Sequence, residues 1–238
     1  MFMSLEHLLQ YRVRAVDGEV GDVSDFYVDD RHWRVRYVVV DTDAWRTGSE
    51  VLVRPSRMER PNSRVKILPV MLKAEQVRKS SPVLTDPPVS LQQAIEADEL
   101  FDIESVEELV GAPEGDARRE TGGRLKGDVH LRSFQAVKGY EVQATDGEIG
   151  HVGDFIAQTD SWTILYITVH TRHWLPGHAF ILAPHWVDVI DWEQGVLQAG
   201  VSREQIKSGP RYNPSAPLER QFETELHDYY GRRRYWES

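Results

Sequence analysis

At 238 residues, with 40% hydrophobic and 28% charged side chains, the sequence reads as globular, long enough for one large domain or two small ones. It contains no cysteine, which excludes disulfides, thiol nucleophiles and cysteine-based metal centres. The net charge of −10 is concentrated in one stretch: from Asp86 to Glu120 eleven carboxylates face two arginines, and the flanking regions are near neutral. A near-neutral body argues against nucleic-acid binding driven by phosphate neutralisation.

Taken in order, the chain opens with a lead-in over residues 1–10, in which Leu5, Leu8 and Leu9 are placed to pack on the strands after it. The opening segment has neither a basic n-region nor a small-residue cleavage site, and no apolar run approaches the roughly 20 residues of a membrane helix. The expected location is therefore cytoplasmic, without an integral membrane segment; peripheral association is left open. Tyr11–Val16 reads as a strand ending at Asp17-Gly18, a dipeptide suited to a tight hairpin turn. Val20–Val28 comes next, and the change of apolar parity between Val23 and Phe26 predicts a bulge that Gly21 is placed to permit. Val35–Val40 is apolar in both phases and is expected to be buried on both faces. Val51–Val53 and Val65–Leu68 complete the strands, and a short helix is expected over Lys73–Lys79.

The connector 83–129 starts Pro-rich, continues as an acidic helical stretch from about Ser90 to Val110, and ends in an exposed Gly-rich linker. After residue 130 the pattern repeats. YRVRAVDGEVGDVSDF at 11–26 returns as YEVQATDGEIGHVGDF at 140–155, each residue 129 positions on. Self-similarity of this kind marks a duplicated structural unit. Strands are again expected at Phe180–Leu182 and Val196–Leu197, with a helix at Ser202–Ser208 whose Ser202 and Gln205 suit a capping box. Past Pro217, Leu218, Phe222, Leu226 and Tyr229/Tyr230 stand at helical spacing before a dense group, Arg232 to Trp236.

With those segments in view, the chain resembles the PRC-barrel family. The carrying residues are GYEVQATDGEIGHVGDF at 139–155, WTILYITVHTRHWLPG at 162–177, FILAPHWV at 180–187, SREQIKSGP at 202–210 and the tail ERQFETELHDYYGRRRYW at 219–236. The resemblance implies a mainly β chain: two tandem small β-barrels, a helical acidic connector and a C-terminal helix. The domains expected are 1–82 and 130–212 for the two barrels, 83–129 for the connector and 213–238 for the C-terminal helix with its tail. It also implies a non-catalytic adaptor or protein-interaction role, since barrels of this family serve the reaction-centre H subunit and a ribosome-maturation factor. A soluble factor for a photosynthetic or membrane electron-transfer complex, and a ribosome- or RNA-associated factor, stand as alternatives.

Little in the residues points to chemistry. Glu19 with Asp25, and Glu148 with Asp154, pair carboxylates, but turn placement gives no convergence on a cleft. His151, His170, His173, His178 and His185 crowd the second repeat without a metal-ligand spacing. No phosphate loop, nucleophile elbow or metalloprotease motif is present, so neither catalysis nor a cofactor or metal is expected. The candidate interaction residues are aromatic: Trp33, Trp162 and Trp174, with Trp45 recurring opposite Trp174, and Tyr229, Tyr230, Tyr235 and Trp236 in the tail. The partner expected is another protein, with homo-oligomerisation left open.

Overall fold

Short runs of β-branched and aromatic residues, punctuated by glycine, proline and aspartate, fold into a mainly β chain. The computed structural model describes residues 1–42, 49–98, 127–171 and 179–237. In chain order the elements are β1 (Phe2–Ser4), α1 (Leu5–Leu8), β2 (Arg12–Ala15), β3 (Gly18–Asp29), β4 (Arg34–Asp41), β5 (Glu50–Val53) and β6 (Ile67–Pro69). Then come α2 (Ala74–Arg78), α3 (Val89–Asp98), β7 (Leu131–Ser133), α4 (Phe134–Val137), β8 (Glu141–Ala144), β9 (Gly147–Gln158) and β10 (Thr163–His170). β11 (Ala179–Leu182), β12 (Val187–Asp191), β13 (Val196–Ala199), α5 (Arg203–Ser208) and α6 (Arg220–Tyr229) complete the chain. Helix α3 covers Val89–Asp98, the start of the stretch expected to be helical; the remainder of that stretch, to Val110, lies outside the described residues. Among those residues no helix is long and apolar enough to cross a membrane.

The chain divides into two units, and each takes the lead-in strand of the opposite repeat. The first-repeat unit is Leu5–Ala136 with Thr159–Thr163; the second-repeat unit is Met1–Ser4, Val137–Gln158 and Ile164–Ser238. Strand order in the first is β6-β2-β3-β4-β5, with β7 laid on the far half of β3. In the second it is β12-β13-β8-β9-β10-β11, with β1 laid on β9. The sheets are mixed, because β2 runs parallel to β6 and β8 parallel to β13. Among the described residues no ladder closes either order into a cylinder. The exchanged strands keep one register: Ser133 faces Tyr27 in one unit and Ser4 faces Ile156 in the other, positions that correspond across the duplication.

The bulge expected in the second strand is there, as a register shift between Val23 and Asp25. Glycine is required just before it by close approach. A Cβ at Gly21 would lie 1.9 Å from the Asp41 carbonyl oxygen, and one at Gly150 would lie 2.1 Å from that of His170. The hairpin turn falls one residue earlier than Asp17-Gly18. Ala15 pairs with Gly18, so Val16 and Asp17 form the loop. The physical reason is an added task for the aspartate. Asp17 Oδ1 accepts the Ala74 N–H at 2.7 Å, and Asp146 accepts the Arg203 N–H at 2.8 Å, so each turn caps the first free donor of α2 or α5.

The core of the first-repeat unit runs along β3 and β4. Val38, Val39 and Val40 are consecutive and fully buried, as a strand covered on both faces requires. Tyr27, Val39, Leu52, Val83 and Leu131 form one cluster, with Tyr37 and Leu91 packed against it, so the connector helix α3 is seated through Leu91.

Candidate functional site

The same strand wall occurs in both units, and different segments pack on it. In the second-repeat unit the wall is built from Tyr166 on β10 and the Pro184–Trp186 turn after β11. Tyr166 and Trp186 are buried, and the C-terminal segment covers them. Helix α6 places Glu223, Leu226 and His227 on its inner side, all buried. Glu223 Oε1 accepts the hydroxyls of Tyr166 and Tyr235, each at 2.9 Å. Arg220 Nη1 stands 3.0 Å from the other carboxylate oxygen, and its guanidinium lies 4.1 Å over the Trp236 ring. His227 Nδ1 is 2.9 Å from the Arg233 carbonyl, which can only accept, so that nitrogen carries its proton towards it. The other ring nitrogen faces the Tyr166 hydroxyl at 3.2 Å. His227 also packs edge-on against Trp186 at 5.0 Å and Trp236 at 5.2 Å. Burial, then the Glu223 charge, push the Tyr166 phenol far above its ordinary range; burial brings Tyr235 to about 12. Burial also lowers His185, with His227 and Arg232 adding to it.

In the first-repeat unit the corresponding wall is Tyr37 on β4 and the turn Pro55–Arg57. It borders a cleft of about 660 Å³ lined by Arg34, Arg54, Arg60, Tyr37, Met58 and Trp162, among others. Arg36, on the same strand, pairs with Asp128 and lies 3.6 Å from Asp86 and 3.8 Å from Asp29, so its charge is spent internally. Burial and a hydrogen bond to Asp86 raise the Tyr37 phenol above its usual range. Arg60 meets Asp160 at 3.0 Å but is 79% exposed. Arg34 donates to the Ser161 carbonyl at 3.2 Å, and Arg54 lies 5.8 Å over the Tyr37 ring. Among the described residues neither of these two has a carboxylate partner.

The aromatic candidates divide between these places. Trp162 is buried, stacks on Phe26 at 6.3 Å and forms the inner wall of the cleft. Trp33 is partly buried; it and Trp162 both hold left-handed backbone conformations, φ 51° and 55°, at matching positions of the two repeats. Trp174 and Trp45 lie outside the described residues. Tyr235 and Trp236 are half-buried in the tail contacts above, Tyr230 packs on Trp186 at 5.5 Å, and Tyr229, 42% exposed, donates to the Gln205 carbonyl. The tail is thus docked on its own unit.

The carboxylates of the repeated motif are absorbed into structure. Asp25 is half-buried; it accepts the N–H groups of Phe26 and Gln135 and the Ser133 hydroxyl, fastening β7 and α4 to β3. Burial raises it to about 6 despite those bonds. Glu19 is exposed and pairs with Arg12. His151 and His170 lie edge-on at 5.8 Å, and His173 and His178 are outside the described residues. Among the described residues no group of three metal-ligating side chains converges.

Sequence reasoning missed both the Glu223–Tyr166–His227 lock and the arginines of the cleft. The signal was present in the aligned copies: Ala183 and Trp186 stand where the first repeat has Arg54 and Arg57. No known family model matches the sequence, and no curated protein matches it.

Proposed function

We propose that the chain is a duplicated, PRC-barrel-like adaptor that performs no catalysis and holds a protein partner through its first-repeat unit. The observation that supports this reading is the unequal treatment of one wall. Where the second-repeat unit covers Trp186 with its own C-terminal segment, the first-repeat unit leaves Arg54 and Arg57 exposed at the matching turn, beside a cleft bordered by Arg34, Tyr37 and Arg60. A concave surface with aromatic walls and arginines has the composition of a protein-binding hot spot. The repeat, its strand order and the register common to its two copies support the family resemblance.

The test is site-specific photo-crosslinking in the source cells. A photoreactive amino acid at Arg60, on the cleft rim, is expected to capture a defined protein that the same probe at the remote, exposed Arg78 does not. Identical capture patterns from the two positions would overturn the reading.

A further inference from the structure

The lock over Tyr166 has more acceptors than its side chains have protons to fill. His227 Nδ1 already spends its proton on the Arg233 carbonyl. The Tyr235 hydroxyl accepts from Arg220 at 3.1 Å and donates to Glu223 Oε1 at 2.9 Å. The Tyr166 hydroxyl is left between Glu223 Oε1 at 2.9 Å and His227 Nε2 at 3.2 Å, with a single proton to give. If Glu223 is a carboxylate and His227 a neutral imidazole, both neighbours are acceptors. One of the two contacts then sets lone pair against lone pair. Tyr166, Glu223 and His227 are all 0% exposed, so water cannot supply the missing donor.

One additional proton fills every contact. Placed on His227 Nε2, it donates to the Tyr166 oxygen while Tyr166 donates to Glu223. Placed on Glu223 Oε1, it runs the same chain in the other direction. The proton therefore belongs to the pair, with Tyr166 as the relay between them.

The other titratable and charged groups around the cluster are accounted for. On α6, Arg220 is 51% exposed and paired with Glu223, and Asp228 pairs with Arg234, which also holds Glu237. In the tail, Arg232 is partly buried and opposes a further positive charge, while the Arg233 side chain is exposed. On the turn after β11, His185 is held below its ordinary range, chiefly by burial and then by His227 and Arg232. Burial brings the Tyr230 and Tyr235 phenols to about 12. Between about pH 6.5 and 9, then, His185 and these phenols stay neutral, and the shared proton is the one free to leave.

We propose that the C-terminal segment is a proton-held strap: a proton shared by Glu223 and His227 through Tyr166 keeps α6 and the tail seated over Trp186, and its loss lets them lift and uncovers that wall. The sign follows from proton count. An unfolded histidine is neutral above about pH 6.5, so the seated segment holds a proton that the released one gives up, and seating weakens as pH rises.

The experiment measures trypsin cleavage at Arg232–Arg234 in the full chain from about pH 6.5 to 9, each rate divided by that of a flexible reference peptide. The normalised parent rate is expected to rise by about fivefold or more, because cleavage tracks the open population. Glu223→Gln places an amide N–H where the missing donor is needed. Tyr166 can then donate to His227 Nε2, so this variant should stay seated and keep a rate within about twofold over the whole range. In parallel, histidine ¹⁵N and glutamate ¹³C shifts should show one of His227 and Glu223 protonated at the acid end and deprotonated as cleavage accelerates. A flat parent rate would overturn the proposal, as would a neutral His227 beside an ionised Glu223 at the acid end. So would a Gln variant that keeps the parent slope, or one cut rapidly at every pH, since the carboxylate charge alone would then hold the strap.

Discussion

Tyr37 and Tyr166 stand at the same point of the same strand in two copies of one sequence, yet their surroundings have little in common. Tyr166 is sealed beneath Glu223 and His227 and donates its hydroxyl to a buried carboxylate. Tyr37 is partly exposed; it packs against the cluster that holds Val83, with Asp86 on its hydroxyl and the Arg36 and Arg54 guanidiniums within 6 Å of its ring. The difference lies in the turn beside the tyrosine. An indole at Trp186 makes an apolar wall whose exposure to water is costly, so a covering segment is strongly favoured. An arginine at the corresponding Arg57 is content in solvent, so the connector that packs Val83 and Leu91 beside Tyr37 can leave that turn exposed. Duplication thus supplied two equivalent faces, one packed by the C-terminal segment over a buried Trp186 and the other by the connector beside an exposed Arg57.

The largest effect that could break this comparison is at the turn. Trp186→Ala is expected to cost about 4 kcal/mol, because it removes a fully buried indole and the cover packed on it. Arg57→Ala, at the matching place, should stay within about 0.5 kcal/mol. Urea denaturation of both variants measures the contrast directly; equal costs would mean that the two walls are energetically alike. Trp186→Phe should fall well short of the alanine cost, since the indole N–H has no hydrogen-bond partner to lose among the described residues.

Next in size is the lock itself. Glu223→Ala leaves the Tyr166 and Tyr235 hydroxyls without their shared acceptor and strands Arg220 beside the gap. A loss of about 3 kcal/mol is expected, the usual scale for breaking a buried charged network by removing one member. Limited trypsin digestion should then cut at Arg232–Arg234 faster than in the parent. Tyr37→Phe, which removes only a partly exposed hydroxyl, should cost about 1 kcal/mol or less.

How much of this is legible in the sequence depends on which interactions are local. The Ser202 cap rests on neighbours within a few residues, and the bulge and the duplication show in the apolar and glycine pattern itself. The exchange of lead-in strands cannot be read in the same way. Phe2–Ser4 and Leu131–Ser133 are equivalent tripeptides ending in serine, and either could pair with either long strand. The lock is hidden for another reason. Glu223 and His227 look like the polar face of an amphipathic helix until Tyr166, 57 residues away from Glu223, turns out to be the hydrogen-bond donor beneath them. Asp25 reads as turn chemistry, whereas its partner Ser133 lies 108 residues on.

That aspartate gives a pH test of the strand exchange. Burial raises Asp25 from 3.8 to about 6, so between those values the folded chain holds a proton that the unfolded chain has lost. Stability from this group is therefore greatest below about pH 4, falls as pH rises through the window, and is level above about 6; the full span is on the order of 3 kcal/mol. Asp25→Asn should abolish that slope. Urea midpoints for parent and variant at a series of pH values give the difference curve. A parent advantage that grows with pH would instead mean that the Ser133 and backbone bonds hold the carboxylate ionised.

The smallest contrast concerns the two short helices after the last strands. Ser202 Oγ accepts the Gln205 N–H at 3.2 Å, while the Gln205 side chain accepts the Ser202 N–H at 2.8 Å, a reciprocal box. At the matching position Lys73 has an ammonium, which cannot accept, so only the return bond from its N–H to Gln76 survives, at 2.9 Å. Both helices keep the remote cap from Asp17 or Asp146. Ser202→Ala should therefore cost about 1 kcal/mol and Lys73→Ala close to nothing, while Asp17→Ala and Asp146→Ala should cost about 1 kcal/mol each. Denaturation midpoints of the four variants decide whether the duplicated aspartate has the same task in both units. Unequal aspartate costs would mean that divergence reached the caps as well as the walls.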